Sequence, residues 1–199
     1  MLILQKISSA ETRVKNSRFL AEAIPVSSPE EAKDLWHWRK ENYDNGGHIV
    51  YAFTTGNQQN ISGCSDDGEP SGTAGKPVLA VLLGSGLTNT LITVARWFGG
   101  TKLGTGGLVH AYSEAAKAAI ESAQTIELIP MNRISFSVSY NIYASCKKFL
   151  DSIGFNSENE EFAAEINITG TIPRVAAKPL EDFLQELGNG KIICRQLEL

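Results

Sequence analysis

Between Gly63 and Tyr112 the chain sets Asp66, Asp67, Glu69, Lys76, Arg96, Lys102 and His110 among 11 of its 18 glycines. Average usage is about 7% glycine, so this density marks backbone that turns tightly at positive φ or that something approaches closely. Two turns carry the candidate chemistry, SDDGEPSGTAG (65–75) and FGGTKLGTGG (98–107), and each opens into a segment of helical pattern. A helix N-terminus offers unpaired N–H groups and a partial positive charge, so a glycine loop leading into one is an anion cradle. Lys76 and Lys102 add point charge, and Arg96 can grip a phosphate or carboxylate with two N–H bonds. The candidate ligand- or partner-binding residues are therefore Asp66, Asp67, Gly68, Glu69, Ser71, Gly72 and Lys76, followed by Arg96, Gly99, Gly100, Lys102, Gly104, Gly106, Gly107 and His110. The competing reading is that the glycines only shape turns and let helices pack close to strands.

Other chemistries find little support. Gly75-Lys76 is followed by Pro77, so this is no phosphate-binding Walker loop. Gly104-Thr105-Gly106 lacks the third glycine of a dinucleotide fingerprint, because position 109 is Val109. Ser71 is not in a nucleophile elbow. Asp66, Asp67 and Glu69 can be read as oxygen ligands for Mg²⁺, or as loop residues that bond to their own backbone, the reading we favour. His48 and His110 stand alone, and we read them as hydrogen-bonding residues. Cys64 lies beside two carboxylates that disfavour its thiolate. Trp97 and Phe98 can stack a base, but a buried strand would make them core. We name no catalytic residue, no cofactor and no metal ligand.

The elements that must position these residues follow from pattern. A hairpin is expected around Glu11–Ser17. Ser28-Pro29-Glu30-Glu31 starts a helix, with a capping hydroxyl, proline at the first position and carboxylates at the positive end; Asn45-Gly46-Gly47 ends it. His48–Thr55 reads as a buried strand, Gln58–Gly63 as loop, Ala74–Leu83 as a helix and Leu91–Phe98 as a strand. Gly106–Ala123 reads as a helix and Thr125–Ile129 as a strand. Glycine then becomes scarce. Ile134–Val138, Tyr143–Ile153, Phe155–Glu160, Phe162–Thr171, Pro173–Leu187 and Lys191–Leu197 give the order βαββαβ of the ferredoxin-like motif. The expected architecture is α+β in two domains, 1–131 and 132–199.

Bulk properties narrow the partners. The 199 residues are 42% hydrophobic and 20% charged, as in ordinary globular proteins. Net charge is −4, divided evenly between the two parts, so no global basic field drives nucleic-acid binding and any RNA contact needs a local patch. Three cysteines without paired spacing read as reduced thiols of a cytoplasmic protein, and no apolar run is long enough to span a bilayer.

DDGEPSGTAGKP (66–77), RWFGG (96–100) and LGTGGLVHAY (103–112) together resemble the signature of the YigZ/IMPACT family. Asn16-Ser17-Arg18-Phe19, His48 and Tyr51-Ala52-Phe53 belong to the same resemblance. His110 departs from it, standing where Lys or Arg is expected. The resemblance implies a first domain like those of ribosomal proteins and elongation factors, and a ferredoxin-like elongation-factor tail. It also implies a link to translation, because eukaryotic members regulate initiation under amino-acid starvation through a partner that activates a translation-factor kinase; bacteria lack that pathway. The preferred expectation is a non-catalytic, cytoplasmic regulator or nucleic-acid-binding protein of translation and stress response, engaging ribosome, RNA or a protein partner. The alternative is an enzyme acting on a phosphorylated or carboxylated small molecule at the glycine-rich loops.

Overall fold

The computed structural model describes residues 1–42 and 47–197. Asn45 and Gly46, expected to end the first helix, lie outside them. The fold is α+β, in two compact units, Met1–Leu128 and Ile129–Leu199.

The first unit is built on a five-stranded antiparallel sheet. Its strands are β2 (Ser8–Val14), β3 (Ser17–Pro25), β4 (His48–Thr55), β5 (Ile61–Ser65) and β6 (Thr90–Trp97), in the order β2-β3-β6-β4-β5. The β2–β3 hairpin turns at Lys15 and Asn16, both at positive φ. Helices α2 (Gly75–Gly84) and α3 (Gly104–Glu121) cover one face; α1 (Pro29–Asn42) covers the other. Ser28 caps α1, its hydroxyl accepting from the Glu31 N–H at 3.2 Å. Because β6 is central and covered on both sides, Thr90 to Arg96 are all buried, and alternation only decides which layer each residue joins. Ile92 and Val94 pack under α2 and α3 with Phe19, Ala21 and Val50. Leu91 packs with Ile24, Phe53 and Ala32 of α1.

A small ribbon, β1 (Leu2–Leu4) with β7 (Thr125–Glu127), joins the two ends of this unit. The sequence reading has no counterpart for β1 or β5. It assigned Ile61 to Gly63 to a loop, yet they pair with Thr55 to Phe53. Gly63 is there because a Cβ would lie 2.6 Å from the Phe53 ring, so the strand is glycine-interrupted for packing and reads as a turn.

The second unit runs β8 (Met131–Val138), α4 (Tyr140–Ser152), β9 (Asn156–Phe162), β10 (Ile166–Pro173), α5 (Ala177–Leu187) and β11 (Arg195–Leu197). Its antiparallel sheet has the order β11-β8-β10-β9, which is the split βαβ arrangement. Ile134, Phe136, Val138, Ile166, Ile168 and Ile172 alternate inward against Leu150 of α4 and Leu180 and Leu184 of α5. Phe162 closes β9 opposite Ile166, so the hairpin turn falls at 163–165 rather than before Phe162.

Candidate functional site

The two glycine-rich loops have opposite fates. In the first, Asp66 turns its carboxylate onto the start of α2. It accepts the N–H groups of Gly72 (2.8 Å), Ala74 (3.1 Å) and Gly75 (2.8 Å). Burial pushes the Asp66 carboxyl up, but the three backbone N–H bonds together outweigh it and hold the group below its ordinary range. The α2 N-terminus therefore already has its anion, supplied by the chain. Asp67, at φ 43°, accepts Lys40 Nζ at 2.5 Å and the Ile49 N–H at 2.7 Å, stapling the loop to α1 and β4. Ser71 and Lys76 are exposed beside this loop. Cys64, at the end of β5, has its thiol pushed up by burial and then by Asp66.

In the second loop no carboxylate among the described residues fills the helix start. Leu103 occupies the cap position of α3 without a side-chain bond, and the first turn holds no acidic residue. Gly104 begins the helix at φ 75°, and Cβ atoms built at Gly104 and Gly106 would meet nothing within 4 Å. The sequence pattern starts this helix near Gly106; Gly104 to Gly107 instead form its first turn, and no described side chain caps its N–H end. Gly99 has a different task. A Cβ there would lie 2.0 Å from the Asn16 carbonyl carbon, so only glycine lets the loop rest on the β2–β3 turn, where its N–H donates to Ser17 Oγ at 3.2 Å.

Beside the α3 start lies a cavity of about 740 Å³. His48, Glu69, Arg96, Phe98, Lys102 and Thr105 line it, with Gly104 at the helix end and Pro70, Leu103 and Leu108 as apolar wall. Register explains the convergence: Arg96 sits opposite both Phe19 and His48, and two residues beyond Val94, so all three share the face under α2 and α3. The core layer thus ends in an arginine. Its Nη1 donates to Glu69 Oε1 at 2.6 Å, and the same oxygen accepts the Tyr112 hydroxyl from α3 at 2.8 Å. The Arg96 and Glu69 side chains are only 9% and 4% exposed. Burial raises the Tyr112 hydroxyl far above its ordinary value and Glu69 adds to the effect, so the phenol stays a donor. Arg96 Nε finds no acceptor among the described residues.

His48 Nδ1 is 2.6 Å from the Asp67 carbonyl oxygen. A carbonyl only accepts, so Nδ1 carries the proton and a neutral ring keeps Nε2 as an acceptor. Phe98, expected to be core as the last residue of a buried strand, is 61% exposed, because β6 ends at Trp97 and Gly99-Gly100 turn the chain outward. Trp97 is half-buried, with the Arg18 guanidinium 3.8 Å from its ring centroid.

Of the candidate residues, the cavity wall thus gathers Glu69, Arg96, Lys102 and Gly104. Asp66, Asp67, Gly68, Ser71 and Gly72 of the first loop and Lys76 of α2 do not line the cavity, nor do Gly99, Gly100, Gly106 and Gly107 of the second. His110 is exposed on α3, its Nδ1 4.0 Å from Glu114. Tyr112, buried on α3 and bonded to Glu69, belongs to the Arg96–Glu69 cluster though it is not among the candidate residues. The signal was available: a tyrosine on an otherwise alanine-rich face needs a partner for its hydroxyl.

Comparison with known proteins gives a consistent picture. Residues 15–120 match the Impact N-terminal domain. The chain is 30% identical over 189 residues to the IMPACT family member YvyE of Bacillus subtilis (strain 168), covering 95% of this chain and 87% of that protein. It is 29% identical over 187 residues to the IMPACT family member YigZ of Escherichia coli (strain K12), covering 93% and 92%. Protein IMPACT of Mus musculus is 30% identical over 112 residues, 54% of this chain and 35% of that protein. A crystal structure of a hypothetical protein superposes with a TM-score of 0.72 at 29% identity, covering 99% of this chain and 97% of the other. No helix among the described residues is long and apolar enough to cross a membrane.

Proposed function

This chain belongs to the IMPACT family, and we propose that within it the protein acts as a non-catalytic, cytoplasmic binding protein that engages ribosomal RNA during translation. The contact is an anionic group seated at the start of α3. One observation carries this reading: the α2 N-terminus is filled by Asp66, whereas the α3 N-terminus has no side-chain cap among the described residues and opens onto a cavity lined by Lys102 and Arg96. A net charge of −4 argues against binding over a broad surface and for one confined cationic pocket.

The enzymatic alternative needs the carboxylates of the first loop to converge on a ligand. Asp66 is engaged by amides, Asp67 by Lys40 and the Ile49 N–H, and Glu69 by Arg96 and Tyr112. That arrangement favours binding over acid–base chemistry.

The test is sedimentation with ribosomes at low and high salt. Binding at low salt, loss at high salt, and weakening by Lys102→Glu at unchanged melting temperature are the expected results. Arg96 is unsuitable for charge reversal, since its burial against Glu69 makes it structural. Absence of cosedimentation at low salt would overturn the proposal.

A further inference from the structure

We infer that the cavity at the α3 start is a pocket for one phosphorylated nucleoside, phosphate on the helix end and Lys102, base on Phe98. This rests on the anion-binding reading above and names its ligand class. The first ground is size. A cavity of about 740 Å³ lies within the roughly 300–1,000 Å³ that small-molecule ligands occupy, and a bare inorganic anion would leave most of it unfilled.

The second ground is the composition of its wall. Lys102 and the N–H groups from Gly104 onward, which no described side chain caps, make it cationic, and Arg96, 92% buried and paired with Glu69, keeps an Nε without an acceptor among the described residues. Pro70, Leu103, Leu108 and Phe98 make its apolar and aromatic part. Phe98 presents a ring that is 61% exposed, with the Arg96 guanidinium carbon 5.8 Å from its centroid. An exposed phenylalanine beside a cation is a stacking platform open to any base, since every base has a π-face. His48 donates Nδ1–H to the Asp67 carbonyl, and in its neutral tautomer Nε2 can receive a sugar hydroxyl.

The third ground is exclusion of a duplex. A double helix presents stacked bases and needs a broad cationic track. A single concave pocket on a chain of net charge −4 admits one unstacked nucleotide. The same chemistry is offered by a free nucleoside monophosphate and by the 5′-phosphorylated end of a single-stranded RNA.

Calorimetric titration of the full chain separates these. The probes are AMP, UMP, adenosine, inorganic phosphate, and a short RNA with and without its 5′-phosphate. AMP and UMP should bind with similar affinity, each tighter than phosphate or adenosine. Phe98→Ala should weaken AMP about 5- to 150-fold and leave phosphate affinity unchanged; Lys102→Ala should weaken both. Ring exposure lets the Phe98 variant keep its melting temperature. Binding of the monophosphates identifies a free nucleotide as a ligand, and binding of the 5′-phosphorylated RNA alone identifies a strand end. Equal affinity for phosphate and AMP, or no effect of Phe98→Ala, overturns the inference. If no probe binds while ribosomes still sediment the protein, the inference fails and the ribosome reading stands. If both fail, neither holds.

Discussion

Replacing Glu69 by Gln tests whether the Arg96–Glu69–Tyr112 cluster holds the first unit together. The change keeps shape and an acceptor oxygen for Tyr112 but removes the charge opposite a guanidinium whose side chain is 9% exposed. Breaking a buried pair in this way costs about 3–5 kcal/mol, because the surviving charge is left desolvated. The first unit spans Met1–Leu128, so its unfolding entropy is about 0.27 kcal/mol per kelvin. The expected fall in melting temperature is then about 11–19 °C. Tyr112→Phe removes only one bond to a charged acceptor, about 1.5–3 kcal/mol, and should lower it by about 6–11 °C. Because Arg96 and Tyr112 donate to the same Glu69 oxygen, the two substitutions should be strongly non-additive. Trp36, Trp38 and Trp97 are all in the first unit, so tryptophan fluorescence reports that unit alone. Glu69→Gln should also raise phosphate affinity, since Arg96 is no longer neutralised. A shift below about 5 °C, or one no larger than that of Tyr112→Phe, would refute the argument.

Gly99→Ala forces a Cβ against the Asn16 backbone and should cost about 1–3 kcal/mol or more, read as an earlier fluorescence transition. Gly106→Ala meets open space within a helix and should stabilise by about 0.5–1 kcal/mol; a destabilised variant in the same melt would contradict this. Asp66 is held below its ordinary range in the folded state, so its contribution is present above about pH 4 and lost as pH falls through the folded value. Asp66→Asn should flatten the acid limb of first-unit stability, and an unchanged acid limb would count against the capping role. In the second unit Lys147, then Tyr143, hold the Glu160 carboxyl at about 2, with the same sign: stability present at neutral pH and lost on acidification toward that value. Glu160→Gln should remove that loss in circular-dichroism melts of the second unit's transition.

The order of elements was legible because it rests on local rules. Ser28-Pro29-Glu30-Glu31 starts a helix by capping chemistry, and the alternation from Ile134 to Val138 marks one face of a sheet. What local rules missed depends on neighbours distant in sequence. Gly63 interrupts β5 because the Phe53 ring crosses it, a reason that exists only once β4 and β5 pair. Phe98 reads as core because it ends a strand, Leu91–Phe98, that reads as buried; it is exposed because the Gly99 backbone must rest on Asn16, which pulls the chain off the sheet.

The site shows where a finer reading of the same residues would have gone further. Both loops read as anion cradles, yet 65–75 contains Asp66, Asp67 and Glu69, while 98–107 contains no acid at all. A loop that carries a carboxylate within reach of its own helix start is under pressure to fill it, since an internal anion forfeits far less freedom than one drawn from solution. Asp66 does so, nine residues ahead of Gly75. A loop with a lysine and no carboxylate has nothing of its own to place there, and at α3 no described side chain is placed. Arg96 follows from alternation in the same way: Ile92 and Val94 fix the layer, so the arginine two positions on must enter it and bring its own counter-ion. Glu69 answers that need, and Lys102, outside the pair, lines the cavity beside it.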